Sequence, residues 1–378
     1  MHIIASSPEG LEKVLAKEIN NYGGSDISIQ KRCVYFRCNQ ETFYKLHFFS
    51  KIAFRFYRQI ASFQCFDKGS LYDGVQSSFD WLKWIPIDKT FCVYVTGKSS
   101  NLRHSHFTSL QVKNAIVDLQ KATYGERSNI CLDNPYLIIH LHLYDNQAVL
   151  SLQSTVESLH KRGYRPSLGH APVKENLAAG LMHITQWDSS MPLIDLMCGS
   201  GTFLIEGVSN VLNIPSIRKN YLFQNWFDFN ESIFNKEISD IQNNHLIKKT
   251  TAKQNFSKVI GCEIDKAVFL QAKNNIYLSG FSQYIEIYNK DFCDFQMDSK
   301  PGIIVCNPPY GKKLGEENEL IDLYFKIGTY LKNNFSGWEF WLLSGNPLLT
   351  RHLKMKASLK VPVSNGGIDC RWIKYSIR

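Results

Sequence analysis

From Leu193 onward the chain alternates short apolar strands with helices, and that alternation restricts what this half can become. Strands are expected at Leu193 to Met197, Lys258 to Glu263, Tyr284 to Tyr288, Gly302 to Cys306 and Glu339 to Ser344. Helices are expected at Lys174 to His183, after Gly201, at Lys266 to Ser279 and at Glu319 to Leu331. Strand-helix alternation of this kind is the mark of a doubly wound parallel sheet. Open sheets of that type bind ligands in the crevice outside the carboxyl ends of their strands, so the residues just past each strand carry most of the functional information. A terminal hairpin is expected around Asn365-Gly366-Gly367, and the long stretch from Asn213 to Phe256 reads as a partly helical insertion.

The front half has a different rhythm. A strand at His2 to Ala5, a helix through Leu11, Val14, Leu15 and Ile19, strands near Ile27 to Ile29 and Val34 to Cys38, and a helix at Gln40 to Phe49 make a small α+β start. Strands at Arg55 to Phe63, Thr90 to Thr96, Tyr136 to Leu143 and Ala148 to Gln153 follow, with helices at Tyr72 to Trp81 and Ser109 to Ala122. The basic, turn-rich run Lys161-Arg162-Gly163-Tyr164-Arg165-Pro166 marks the junction between the halves. The reading is of three domains, 1–55, 56–155 and 156–378.

Composition narrows the function class. With 43 Lys and Arg against 34 Asp and Glu, the formal charge of the 378 residues is +9, which suits a polyanionic partner. The ten cysteines form no C-x-x-C pair and no spacing with histidines that suggests zinc, so neither a metal nor a disulfide framework is expected. The amino terminus has no basic region followed by an apolar block, and no apolar run approaches about 18 residues, so a soluble cytoplasmic protein is expected.

Three post-strand segments carry chemistry. In Asp195-Leu196-Met197-Cys198-Gly199-Ser200-Gly201-Thr202, glycines let a ligand approach the backbone. Leu204 stands where a dinucleotide fingerprint has its third glycine, and no Lys precedes Thr202, so neither an NAD fold nor a Walker loop is indicated. Glu263, in Gly261-Cys262-Glu263-Ile264-Asp265, ends the next strand, where a carboxylate can accept both hydroxyls of a ribose. Asp291 follows the third strand, placed for an adenine amino group, with Phe292 beside the ring. The fourth strand runs into Asn307-Pro308-Pro309-Tyr310-Gly311. A proline pair has no N–H to donate, so the loop offers the Asn307 side-chain oxygen, the Pro308 carbonyl and the Tyr310 ring to a planar amine. The same loop suits adenine, cytosine, guanine or a glutamine amide, and as an isolated tetrapeptide it could equally be a proline turn.

These motifs, together with VTGKSSNLRHSHFTSLQVKNAIVD, KRGYR, HAPVKENLAAGL and NGGIDCRW, resemble class I S-adenosylmethionine-dependent methyltransferases. More closely they resemble RNA amino-methyltransferases with an N-terminal THUMP domain, and most closely bacterial 23S rRNA guanine-N2 methyltransferases. The resemblance covers nearly the whole chain. It implies a Rossmann-like domain with a mostly parallel seven-stranded sheet, preceded by a ferredoxin-like and THUMP RNA-binding module. It places the methionine part of the cofactor on Asp195, Cys198, Gly199, Ser200, Gly201 and Thr202, its ribose on Glu263 and Ile264, and its base on Asp291 and Phe292. Pro172 and Asn176 fall in the stretch that closes over the cofactor, and Asn307 to Tyr310 hold the target amine, Asn307 also bordering the cofactor. The THUMP likeness assigns RNA phosphates to Lys98, Arg103, His104, Lys113, Arg162 and Arg165. A tRNA guanine-N2 methyltransferase and a non-catalytic RNA-binding assembly factor are the alternatives.

Overall fold

The structure is a computed structural model that describes residues 1–166, 173–251, 256–297, 299–310 and 317–378. The front half contains β1 (His2–Ser6), α1 (Glu12–Asn21), β2 (Ser25–Gln30), β3 (Cys33–Arg37), α2 (Gln40–Phe49) and β4 (Arg55–Gln64). It continues with α3 (Lys68–Ser78), α4 (Trp81–Trp84), β5 (Thr90–Lys98), α5 (Ser105–Tyr124), β6 (Asn129–Ile130), β7 (Leu137–Tyr144) and β8 (Gln147–Gln153). These strands form one sheet in the order β2-β3-β1-β4-β8-β7-β5-β6. The ten-residue β4 makes the sheet continuous: Tyr57 pairs with Ile4 on one side and Gln153 on the other.

Local chemistry sets several boundaries. Asp67 accepts from Ser70 N while the Ser70 hydroxyl serves Asp67 in return, a reciprocal cap that starts α3 four residues before the expected Tyr72. Trp81 belongs to the separate turn α4, because Phe79 and Asp80 interrupt the helix. Gly97 has φ +73°, and a Cβ there would lie 1.9 Å from the Leu143 carbonyl, so the β5–β7 pair needs glycine at this point.

The back half contains α6 (Glu175–Thr185), β9 (Leu193–Asp195), α7 (Thr202–Val211), α8 (Glu231–Thr251), β10 (Val259–Cys262), α9 (Lys266–Ser279), β11 (Ile285–Tyr288) and β12 (Ile303–Cys306). Then come α10 (Glu317–Asn334), β13 (Glu339–Ser344), α11 (Pro347–Thr350), β14 (Ala357–Asn365) and β15 (Ile368–Ser376). The seven-stranded sheet runs β11-β10-β9-β12-β13-β15-β14, parallel from β11 to β13, with β15 antiparallel to β13 and β14. Every residue of β9, β10 and β12 is buried, as expected for parallel strands covered on both faces. The strand order reverses at β9: the chain passes to β10 and β11 on one side, then returns to β12 on the other. A ligand crevice is expected at that switch point.

The segment read as an insertion is a structural joint. Its described residues hold a 3₁₀ turn, Leu222–Asn225, and α8. Tyr221, Phe223, Trp226 and Phe234 are buried against α2: Tyr44 stacks on Phe223 at 5.2 Å and Phe43 on Trp226 at 5.5 Å. Arg58 reaches both Asp228 carboxylate oxygens at 2.7 Å and lies over the rings of Trp84 and Trp226. Aromatic burial of this kind accounts for a fixed contact between the halves.

Candidate active site

The glycine loop begins where β9 ends. Asp195 is fully buried beneath it, and its Oδ1 accepts only a long bond from Met197 N at 3.3 Å. Burial, reinforced by repulsion from Glu263, pushes the Asp195 carboxyl up to about 8, so at neutral pH it is largely protonated. The loop turns through Gly199 (φ +52°) and Gly201 (φ +77°), and a Cβ built on Gly199 meets nothing within 4 Å. The backbone of Gly199 is therefore open to a ligand. Cross-links hold the loop still: Cys198 N donates to Cys262 O at 2.8 Å and Asn275 Nδ2 to Ser200 O at 3.0 Å.

Glu263, just past β10, faces this loop. Its Oε2 accepts from Gly199 N at 3.0 Å and its Oε1 from Asp265 N at 2.9 Å, while Asn289 Nδ2 holds the Glu263 and Ile264 carbonyls. Each carboxylate oxygen keeps a lone pair for a hydroxyl. Beside it, Leu196, Met197, Glu263, Ile264, Lys290, Asp291, Phe292 and Leu323 enclose a cavity of about 130 Å³. Ile264 is 64% exposed at this rim, an apolar platform for a planar ring. Asp291 Oδ1 accepts from Cys293 N at 2.9 Å, which fixes the carboxylate at the cavity edge. Phe292 is buried, edge-on to Tyr330 at 5.3 Å. An acid that can accept from a diol, an apolar shelf and a second acid at the cavity edge suit a nucleoside cofactor in chemistry.

On the other side of the switch point β12 delivers Asn307. Its Oδ1 is buried, and among the described residues nothing donates a hydrogen bond to it. A buried carbonyl oxygen left without a donor costs about 1–3 kcal/mol, so the site is set to receive one. Pro308 is buried, Pro309 exposed and Tyr310 half-buried. Tyr310 is locked: its hydroxyl accepts from Asn365 Nδ2 at 3.1 Å, and Gly345 backs its ring so closely that a Cβ there would come within 3.2 Å. Asn365 and Gly345 have no role in the sequence reading. The Asn365-Gly366-Gly367 hairpin signal marked a turn, and nothing in it showed that the turn reaches Tyr310. Gly311 lies outside the described residues.

Asn176 is wholly buried: its Nδ2 donates to Ile52 O at 3.0 Å in the front half, and among the described residues nothing donates to its Oδ1. Arg162 and Arg165 are withdrawn as phosphate contacts. The Arg162 side chain is 6% exposed and pairs at 3.1 Å with Glu206, whose side chain is 0% exposed; Arg165 is 4% exposed and pairs at 3.3 Å with Glu175. Tyr164 donates to Glu206 at 2.9 Å, and Arg162 also donates to Lys51 O at 2.7 Å. The Lys51 ammonium in turn donates to Ser209 and to Ile214 O. Arg165 Nη1 donates to Val173 O at 2.9 Å and to Thr202 Oγ1 at 3.1 Å, and Thr202 bonds Ser200 at 2.9 Å. The basic junction is thus a buried brace under the glycine loop. Pro172 lies outside the described residues. Lys98, Arg103 and His104 are exposed near the start of α5, and Lys113 borders a groove of about 640 Å³ with His106 and Arg127.

Open α/β topology with a glycine turn, Glu263 and an Asn-Pro-Pro-Tyr loop at one sheet edge gives the back half the architecture of a methyltransferase domain, which is the class. Residues 162–374 match the RMKL-like methyltransferase domain, residues 69–153 the THUMP domain and residues 2–57 the RlmL ferredoxin-like domain. The chain is 36% identical over 375 residues to a candidate RNA methyltransferase of Synechocystis sp., covering 99% of this chain and 96% of that one. It is 33% identical over 380 residues to the ribosomal RNA large subunit methyltransferase K/L of Vibrio campbellii, covering 99% of this chain and 53% of that one. The chain therefore spans about half the length of such K/L relatives. A crystal structure described as a possible methylase from Clostridium difficile 630 superposes with a TM-score of 0.88 at 26% identity, covering 100% of this chain and 98% of that one. The chain belongs to the RMKL-like methyltransferase family, with THUMP and RlmL-type ferredoxin-like domains ahead of its catalytic domain.

Proposed function

We propose that the chain methylates the exocyclic N2 amine of a guanosine in 23S rRNA, with S-adenosylmethionine as donor and the base flipped into the Asn307 to Tyr310 pocket. The observation that carries the reading is the buried Oδ1 of Asn307, to which no described residue donates, at the end of the strand paired with the one that leads into the glycine loop. The bound donor would supply a methyl group on a sulfonium. Glu263 would hold its ribose hydroxyls, Ile264 and Phe292 would flank its base, Asp291 would accept from the base amine, and the open backbone of Gly199 would border its amino-acid part.

An exocyclic amine is a weak nucleophile because its lone pair is delocalised into the ring. Asn307 Oδ1 and the Pro308 carbonyl accept its two N–H groups, which lets the nitrogen pyramidalise and turn its lone pair toward the methyl group. Tyr310, held by Asn365, presents a fixed face to the flipped base and offsets part of the few kcal/mol that unstacking costs. The preference for large-subunit rRNA is supported by the names of the K/L relatives, and the guanine by resemblance to guanine-N2 enzymes. The test is incubation of the purified chain with labelled donor and separated rRNA and tRNA, followed by digestion to nucleosides. Labelled N2-methylguanosine from 23S rRNA is the expected product. Label confined to tRNA, or to another nucleoside, would overturn the assignment.

A further inference from the structure

Where the front and back halves meet, a cleft of about 440 Å³ opens among Arg32, Phe54, Arg55, His160, Lys161 and Lys174. We infer that this cleft grips a backbone phosphate of the RNA strand whose base enters the Asn307 pocket, through Arg55 and Lys161 with Arg32 and Lys174 alongside. The inference rests on the RNA-methyltransferase reading above.

Four cations converge here with almost no acid to oppose them. Glu157 is the one carboxylate on the lining, and it is engaged by Lys161 at 3.2 Å. The nearby Glu12 accepts the backbone N–H groups of Gly10 and Arg32. Among the described residues no carboxylate pairs with Arg32, Arg55 or Lys174, and the Arg55 side chain bonds the uncharged Tyr57 hydroxyl. Like charges gathered without a counter-charge repel one another, and an anion relieves that repulsion.

The walls are rigid. His160 Nδ1 meets Ser158 Oγ at 2.7 Å, its ring stands edge-on to Phe54 at 5.4 Å, and Lys174 Nζ lies over the Phe54 ring at 5.2 Å. Burial first, then Lys174, Arg55, Lys161 and Arg165, push the His160 imidazole down to about 4, so at neutral pH its ring adds no charge to the cleft. Lys174 is one residue from Val173, whose carbonyl Arg165 ties to Thr202 at the glycine loop. The cleft thus adjoins, through Lys174 and Val173, the Arg165 support of the glycine loop.

The test compares Arg55→Gln and Lys161→Gln with the wild-type chain, measuring 23S rRNA fragment affinity against KCl concentration. Lys161 is 61% exposed, so its substitution leaves the core intact. Each variant is expected to lower the slope of log affinity against log salt by about 0.7–0.9, the loss of one phosphate contact, and to raise KM for RNA about 5- to 10-fold. Retained affinity for S-adenosylhomocysteine verifies folding. Unchanged slope and KM in both variants would overturn the inference and leave the methyltransferase reading intact; a wild-type chain that binds no RNA would sink both. Inorganic phosphate alone saturating the cleft at sub-millimolar concentration, lost in Arg55→Gln while the RNA slope stays the same, would make it a free-anion site and contradict the assignment.

Discussion

Glu263 enters the crevice with both carboxylate oxygens already accepting backbone N–H groups, whereas Asn307 enters it with a buried amide oxygen that accepts nothing from the described residues. The two sides of one cleft are therefore built differently. On the Glu263 side the acid, the glycine turn and the Arg165 brace form a hydrogen-bonded unit whose shape precedes any ligand. On the Asn307 side the backbone and Tyr310 are fixed, but a polar atom is left unsatisfied for a partner to complete. The difference matches the proposed order of tasks: one cofactor is bound repeatedly in the same pose, and a base must be pulled from a stack and rewarded on arrival.

The largest expected effect breaks the rigid side at its support. Arg165→Met leaves Glu175 buried without its cation and should cost about 3–5 kcal/mol of stability, read as a fall in the urea midpoint. Adding Glu175→Leu should restore most of that loss, because replacing both members of a buried pair with apolar side chains is near neutral. A single variant as stable as wild type would show that the pair does not brace the loop. Next, Glu263→Ala should weaken S-adenosylhomocysteine binding about 100-fold, the loss of two charge-assisted hydrogen bonds at roughly 1.5 kcal/mol each, in calorimetry. Unchanged affinity would remove Glu263 from the cofactor side.

Two further effects sharpen the contrast. Asn365→Ala frees the Tyr310 hydroxyl, and turnover should drop about 3- to 10-fold, the worth of one ordinary hydrogen bond, with cofactor affinity kept. The other concerns pH. The folded Asp195 carboxyl, raised to about 8 by burial, lies above its unfolded value of 3.8. Its contribution to stability is therefore full below 3.8 and is lost as pH rises through 8. Asp195→Asn should flatten the fall in denaturation midpoint between about pH 4 and 8; an unaltered slope would mean that another group titrates there.

Much of the fold was legible because buried parallel strands are continuous apolar runs and the turns that end them need glycine, proline or a capping acid. Asn307, Glu263 and the glycine turn stood out for that reason. Arg162 and Arg165 were misread because a basic run looks the same whether it meets solvent or buried acids, and their partners Glu206 and Glu175 sit on α7 and α6. The aromatic joint between α2 and the segment from Tyr221 to Phe234, and the reach of Asn365 to Tyr310, are pairings between distant parts of the chain that local periodicity does not encode. No described helix is long and apolar enough to cross a membrane.

The central claim is that the bare oxygen of Asn307 receives the target amine, and single-turnover methylation of 23S rRNA by Asn307→Ala tests it most directly. The account predicts a rate lowered about 100-fold or more with S-adenosylhomocysteine affinity within about 3-fold of wild type. Methylation at the wild-type rate would contradict it.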